Sequence, residues 1–110
     1  MEVQESEIGG IVVLRVKGRV DSSVAKNLET KIVGAVQQNA AVNVDFAGVS
    51  FISSAGLRAL LVSQKLAKSL QKALSLSGLS PEVQEVFDIS GFTALFRIFP
   101  GVDEATRGAS

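Results

Sequence analysis

Three times along this chain a short run of strand-forming residues gives way to a pattern of helical period, and that alternation restricts the fold more than any other feature. IVVLRVKG at 11 to 18 combines β-branched residues with polar alternation at Arg15 and Lys17, and Gly9 with Gly10 supplies a turn from a weaker strand near 3 to 8. Gly18 stops the pattern. Asp21, Ser22 and Ser23 then offer N-cap oxygens, and Val24, Leu28, Ile32 and Val36 recur every four residues along a first helix to about Gln38. VNVDF at 42 to 46 alternates as a second-period strand, with Asp45 at or near its end and a loop at Ala47 to Ser50.

From Ser54 to Lys72 the apolar residues Ala59, Leu60, Leu66, Ala67 and Leu70 gather on one side of a helix. Arg58, Lys65, Ser69 and Lys72 gather on the other, with Leu57, Leu61 and Val62 at the margins. ALSLS at 73 to 77 is a strand ended by Gly78. Ser80, Pro81 and Glu82 open a third helix that buries Val83, Val86 and Phe87 and stops at Gly91. LFRIF at 95 to 99 is a last strand, and DEATRGAS after it is too short and polar for more than one frayed helical turn. The order ββαβαβαβ with a residual helix predicts a single α/β domain over 1–110. Its sheet is mixed but mostly parallel, with an N-terminal hairpin and helices packed on it.

Composition removes whole classes of function. Eleven Lys and Arg balance eleven Asp and Glu, so no broad field draws the chain to nucleic acid or anionic lipid. Cys and His are absent, which excludes disulfides, thiolate chemistry and imidazole-based metal binding or catalysis, and neither metal nor cofactor is expected. Tyr and Trp are absent too, leaving six Phe better suited to a core than to stacking bases. The N-terminus MEVQESEIGG is acidic, unlike a secretory leader, and the unbroken apolar runs reach only four residues, so a cytoplasmic protein without membrane insertion is expected.

The junction FISSAGL, where strand passes to helix, is the most informative short segment. One of Ser53 and Ser54 serves as N-cap of the long helix, accepting a backbone N–H that would otherwise be unpaired. Free N–H groups and the positive end of the helix dipole converge at the same place, and Gly56 lets the chain come close at the first turn. Serine catalysis needs an activating base. The chain offers no His and no Lys near in sequence, and GxSxG, GxxxxGK[ST] and GxGxxG are all missing, so no enzyme is expected.

VDFAGVSFISSAGLRALL resembles the signature of STAS domains of the anti-sigma factor antagonist family, whose usual form is V-D-L-[ST]-x-V-x-[FY]-[ILM]-D-S-[SA]-G-L. VKGRVDSSVAKNLE resembles the family's G-x-[IL]-D followed by a helix. LSGLSPEVQEVFDISGFTALFRIF resembles its closing L-x-P-x-V-x-x-[FL]-x-x-[ST]-G-L-x-x-x-F-x-I block. The three blocks occur in the family's order and together cover nearly the whole chain.

The resemblance implies a partner switch. The serine phosphorylated in family members falls on Ser54, and the acid that usually precedes it is Ser53 here, which leaves Ser53 as an alternative acceptor. The family's two aspartates match Asp21 and Asp45, both expected near Ser54. The resemblance further implies an anti-sigma factor serine kinase of the histidine-kinase-like ATPase fold as partner and a PP2C-type phosphatase to reverse the modification. The expected partner surface comprises Asp21, Ser53, Ser54, Gly56, Arg58, Val62 and Lys65. For Asp21 the competing reading is helix capping, for Asp45 a hydrogen bond to the following loop, and for Arg58, Val62 and Lys65 an ordinary solvated face. Monomer and weak dimer both remain open. The alternative within the family is a non-switching subunit docked on a transporter ATPase.

Overall fold

A computed structural model describes residues 1–107. Five strands form one sheet in the order β1-β2-β3-β4-β5: β1 (Glu2–Ile8), β2 (Ile11–Val20), β3 (Ala41–Ile52), β4 (Ala73–Ser77) and β5 (Arg97–Phe99). β1 and β2 pair antiparallel through the Gly9–Gly10 turn, and every other pairing is parallel, as expected. Each parallel crossover steps in the same direction across the sheet. Right-handed connections therefore carry α1 (Ala25–Gln38), α2 (Ser54–Ser69) and α3 (Pro81–Ser90) to one face. The core lies there: Leu14, Val44 and Leu76 from the strands meet Leu28 and Ile32 of α1, Leu60 of α2 and Phe87 of α3, all at most 2 % exposed.

The opposite face is polar at its centre. Asn43 is fully buried, donates from Nδ2 to Ser75 Oγ (3.0 Å) and accepts from Ser77 Oγ (2.9 Å), while Arg15 pairs with Asp45 at 3.6 Å. A fourth helix, α4 (Val102–Arg107), packs over β3, β4 and β5 and buries Ala105. The tail is thus docked rather than frayed as far as Arg107, and the rest of DEATRGAS lies outside the described residues.

Two strands run further than the sequence pattern indicates. Gly18 does not stop β2: at φ +103° it occupies a left-handed conformation open to glycine, and the register against β3 shifts between Gly18 and Arg19. Ala47 to Ser50 is not a loop but the continuation of β3, with Lys17 opposite Gly48 and Arg19 opposite Phe51. The register shifts are the reason. Buried apolar positions run Val42, Val44, Phe46 and then Val49 and Ile52, so the two-residue period breaks while pairing continues. β4 ends beside Asp45 of β3 and β1 leaves β2 at Lys17, beyond which β2 and β3 continue alone as a two-stranded extension.

Smaller corrections concern the helices. Leu57 is buried rather than marginal, while Leu70, expected inside, is the exposed C-cap residue beyond α2, followed by Gln71 at φ +57°. α2 ends at Ser69, so Lys72 stands outside it. α3 begins on Ser80, whose hydroxyl accepts from Val83 N–H at 3.2 Å, and stops on left-handed Gly91, as read from the sequence. Its buried stripe is only Val83 and Phe87, and Val86 is exposed. LFRIF is a strand only from Arg97. Phe92 to Leu95 is a 3₁₀ turn, curled because Phe92 and Phe96 both pack edge-on against Phe87, at 6.3 and 6.1 Å between ring centroids.

Candidate functional site

The two-stranded extension ends with Val20 opposite Ile52, and Ser53 N–H donates to Val20 O at 2.9 Å, so Asp21 and Ser53 leave the sheet side by side. Ser53 is still extended and caps α2. Its Oγ accepts from Gly56 N–H at 3.2 Å and its carbonyl accepts from Leu57 N–H at 3.0 Å. Ser54 is the first helical residue. It is exposed, and among the described residues its hydroxyl makes no hydrogen bond.

Gly56 is buried beneath this turn and has no side chain to present to a partner. A Cβ there would stand 2.8 Å from Ile52 Cγ1 and 2.9 Å from Val20 Cγ1, closer than real side chains approach. Its absence lets α2 settle onto the strand ends and so presents Ser54 outward. No acid occupies the first turn of α2, so the positive end of the helix dipole is uncompensated by its own sequence.

Asp21 does not cap α1. Its Oδ1 accepts from Ser23 Oγ (2.6 Å) and Ser23 N–H (3.0 Å), and its carbonyl accepts from Val24 N–H and Ala25 N–H, closing a turn before the helix. Val24, at the cap position, lacks a capping side chain. The Ser23 hydroxyl, followed by its N–H, holds the Asp21 carboxyl below its ordinary value, with smaller help from Val24 N–H and the charge of Arg19. Asp21 is therefore an anion at neutral pH, adjacent to the start of α2.

Arg58, Val62 and Lys65 continue from Ser54 along α2 and are all exposed, Val62 at 41 %. Asp45 is not part of this group. It lies on β3 eight residues before Ser53, roughly 25 Å at the rise of a strand, where it accepts from Ala47 N–H at 2.9 Å and pairs with Arg15. The expected hydrogen bond with the segment after Asp45 is thus present, but proximity to Ser54 is not. One neighbouring feature left no signal in the sequence pattern: the Arg19 guanidinium sits 4.3 Å from the Phe51 ring centroid, on exposed residues of the extension. Only the cross-strand register brings those two together.

Among the described residues no group of three or more acidic, His or Cys side chains is arranged to hold a metal ion, and no helix is long and apolar enough to cross a membrane. The family model of the STAS domain matches residues 2–105. BtrV of Bordetella bronchiseptica, which carries the name of an anti-sigma factor antagonist, is 35% identical over 99 residues, spanning 89% of this chain and 85% of that protein. An anti-sigma factor antagonist from Mycobacterium paratuberculosis superposes with a TM-score of 0.89 at 22% identity, covering 98% of this chain and 92% of the other, which is a likeness of fold. SpoIIAA, an anti-sigma factor antagonist, has a TM-score of 0.77 at 25% identity in its unphosphorylated form, covering 94% of this chain and 92% of its own. The phosphorylated form of SpoIIAA, from Bacillus, has a TM-score of 0.75 at 22% identity, covering 99% and 100%. With the sheet order, the helix-capping serine junction and a family match from the second residue to α4 in agreement, the chain belongs to the STAS domain family.

Proposed function

We propose that this protein is an anti-sigma factor antagonist whose unphosphorylated form binds an anti-sigma factor serine kinase of the histidine-kinase-like ATPase fold and makes it release its sigma factor. Phosphorylation of Ser54 ends that binding, and a PP2C-type phosphatase restores it. The observation that carries this reading is the division of labour between two adjacent serines. Ser53 Oγ is committed to the cap of α2, whereas the Ser54 hydroxyl is exposed and uncommitted. The phosphorylated and unphosphorylated states in which the similar protein SpoIIAA has been solved support the same reading.

The partner surface runs from Asp21 and the Ser53–Ser54 turn along Arg58, Val62 and Lys65, with Gly56 shaping it from beneath. A phosphoserine adds about 1.5 to 2 negative charges, which in an interface beside the Asp21 carboxylate brings repulsion and desolvation. Losing roughly 3 kcal/mol weakens binding by about two powers of ten, enough to redistribute a shared partner without refolding. The N-terminus of α2 itself favours an anion, so the fold survives modification.

The test is intact-mass measurement with peptide mapping on protein from its native cells, and then binding of variants to the kinase that modifies it. Phosphate on Ser54, with S54A binding as the parent does and S54D about a hundredfold weaker, is expected from the charge argument. Phosphate confined to Ser53, or equal binding by S54A and S54D, overturns the switch.

A further inference from the structure

At the end of the sheet opposite Ser54, where the parallel strands begin, a groove of about 620 Å³ opens between α2, the first residues of β2 to β4, β5 and α4. Apolar residues line it at the start of the sheet: Ile11 and Phe99 on the face that carries Asn43, and Leu74 on the core face. Three cations reach it from two elements that are distant in sequence: Lys68 and Lys72 at and beyond the end of α2, and Arg97 on β5. Glu104 is the single acid in its lining. None of the four makes an ion pair among the described residues, where the only such pairs are Arg15 with Asp45 and Lys26 with Glu29.

Two ordinary roles account for part of this. A lysine in the last turn of a helix complements the dipole, which suits Lys68. Arg97 also lies over the Phe99 ring, 5.4 Å from its centroid. Neither role explains why Lys72, which has left the helix and is half-buried, borders the same groove as Arg97. The volume suits a small organic ligand, and a largely apolar lining with a few placed polar or charged groups is the usual make-up of such a site.

We propose that this groove binds a small organic anion with an apolar body, its carboxylate or phosphate head held by Lys68, Lys72 and Arg97 and its hydrocarbon part lying on Ile11 and Phe99. The site is separate from the Ser54 turn. Lys68 stands fourteen residues further along α2, about 21 Å at the helical rise. It does not depend on the sigma-factor reading and stands or falls apart from it.

The chain has no Tyr or Trp, so backbone amide NMR is the suitable readout. The full-length protein would be titrated separately with octanoate, phenyl phosphate, inorganic phosphate and octan-1-ol. The site predicts saturable shifts clustered at residues 9–11, 68–75 and 97–105 with octanoate or phenyl phosphate, the responding compound showing which head group is preferred. It also predicts at least about tenfold weakening in K72Q and in R97Q, each removing a charge-assisted contact. Spectral dispersion and an unchanged melting temperature would show that both variants stay folded. Shifts that rise linearly without saturating, or that persist undiminished in both variants, overturn the proposal. Inorganic phosphate binding as tightly as phenyl phosphate would reduce the site to an adventitious ion, and octan-1-ol matching octanoate would remove the cations from it. Either result overturns it as well.

Discussion

Ser53 and Ser54 carry the same side chain one residue apart, and what separates them is backbone conformation. Ser53 keeps the extended backbone of β3, which aims its Oγ back at Gly56 N–H; Ser54 has entered the helix, where its hydroxyl turns to solvent. The variants should differ accordingly. S53A loses the cap and about 1 kcal/mol of stability, whereas S54A changes stability by less than about 0.5 kcal/mol, both measured by urea denaturation. Gly56 is the second residue-scale test. Alanine is intrinsically the better helix former by about 1 kcal/mol, but its Cβ would press on Ile52 and Val20, both nearly inaccessible. Overpacking costs about 1–3 kcal/mol, so G56A should be destabilised and its urea midpoint lowered; a raised midpoint would mean that the strand ends give way freely. The cap motif around these serines was legible in the sequence. Which serine caps was not, because that depends on the residue at which β3 ends.

Among the elements, α3 shows how much a local signal can specify. Ser80, Pro81 and Gly91 bound it as the sequence indicates, because caps and proline act within one turn. What holds α3 to the rest is less local: Phe87, fully buried, meets Phe92 and Phe96 edge-on and Val83 lies one turn before it. F87A removes the ring on which the 3₁₀ turn and the approach to β5 both pack. A loss of about 3–5 kcal/mol is expected, with faster amide exchange in residues 92–99 than in β2 and β3. Uniform acceleration along the whole chain would instead mean that this corner unfolds only with the core. β3 is the opposite case. Its second half was invisible as strand, since two register shifts disturb the alternation that marks strands in sequence.

At the scale of the whole molecule, the sheet separates two chemistries. One face carries the apolar core under α1, α2 and α3. The other centres on the buried Asn43–Ser75–Ser77 hydrogen bonds under α4, in which the buried polar side-chain atoms all find partners among the described residues. Stability should depend on acid through one group in the turn before α1 and one on α3. Asp21 is held below its ordinary pKa chiefly by the Ser23 hydroxyl, and Asp88 chiefly by Thr93 Oγ1 with help from Gln84. A carboxyl lowered on folding stabilises above its unfolded pKa and loses that contribution as pH falls through the folded value. Urea midpoints should therefore drop as pH falls below about 5 and through the ordinary carboxylate range, and D21N and D88N should each lower the midpoint at pH 7 while flattening that drop. A parallel decline in parent and variants would assign the acid sensitivity to other groups.

The sequence by itself determined the order of strands and helices, the hairpin, the caps of α3 and the presence of a serine junction at the start of α2. All of these rest on interactions within a few residues, where hydrophobic period and capping chemistry act directly. Tertiary structure alone decided the rest. The extension of β2 and β3, the burial of Leu57 against the exposure of Leu70 and Val86, the docking of α4 and the distance between Asp45 and Ser54 depend on which distant segments lie opposite. Each is a matter of register and of what covers a face, and residues far apart in the chain supply both.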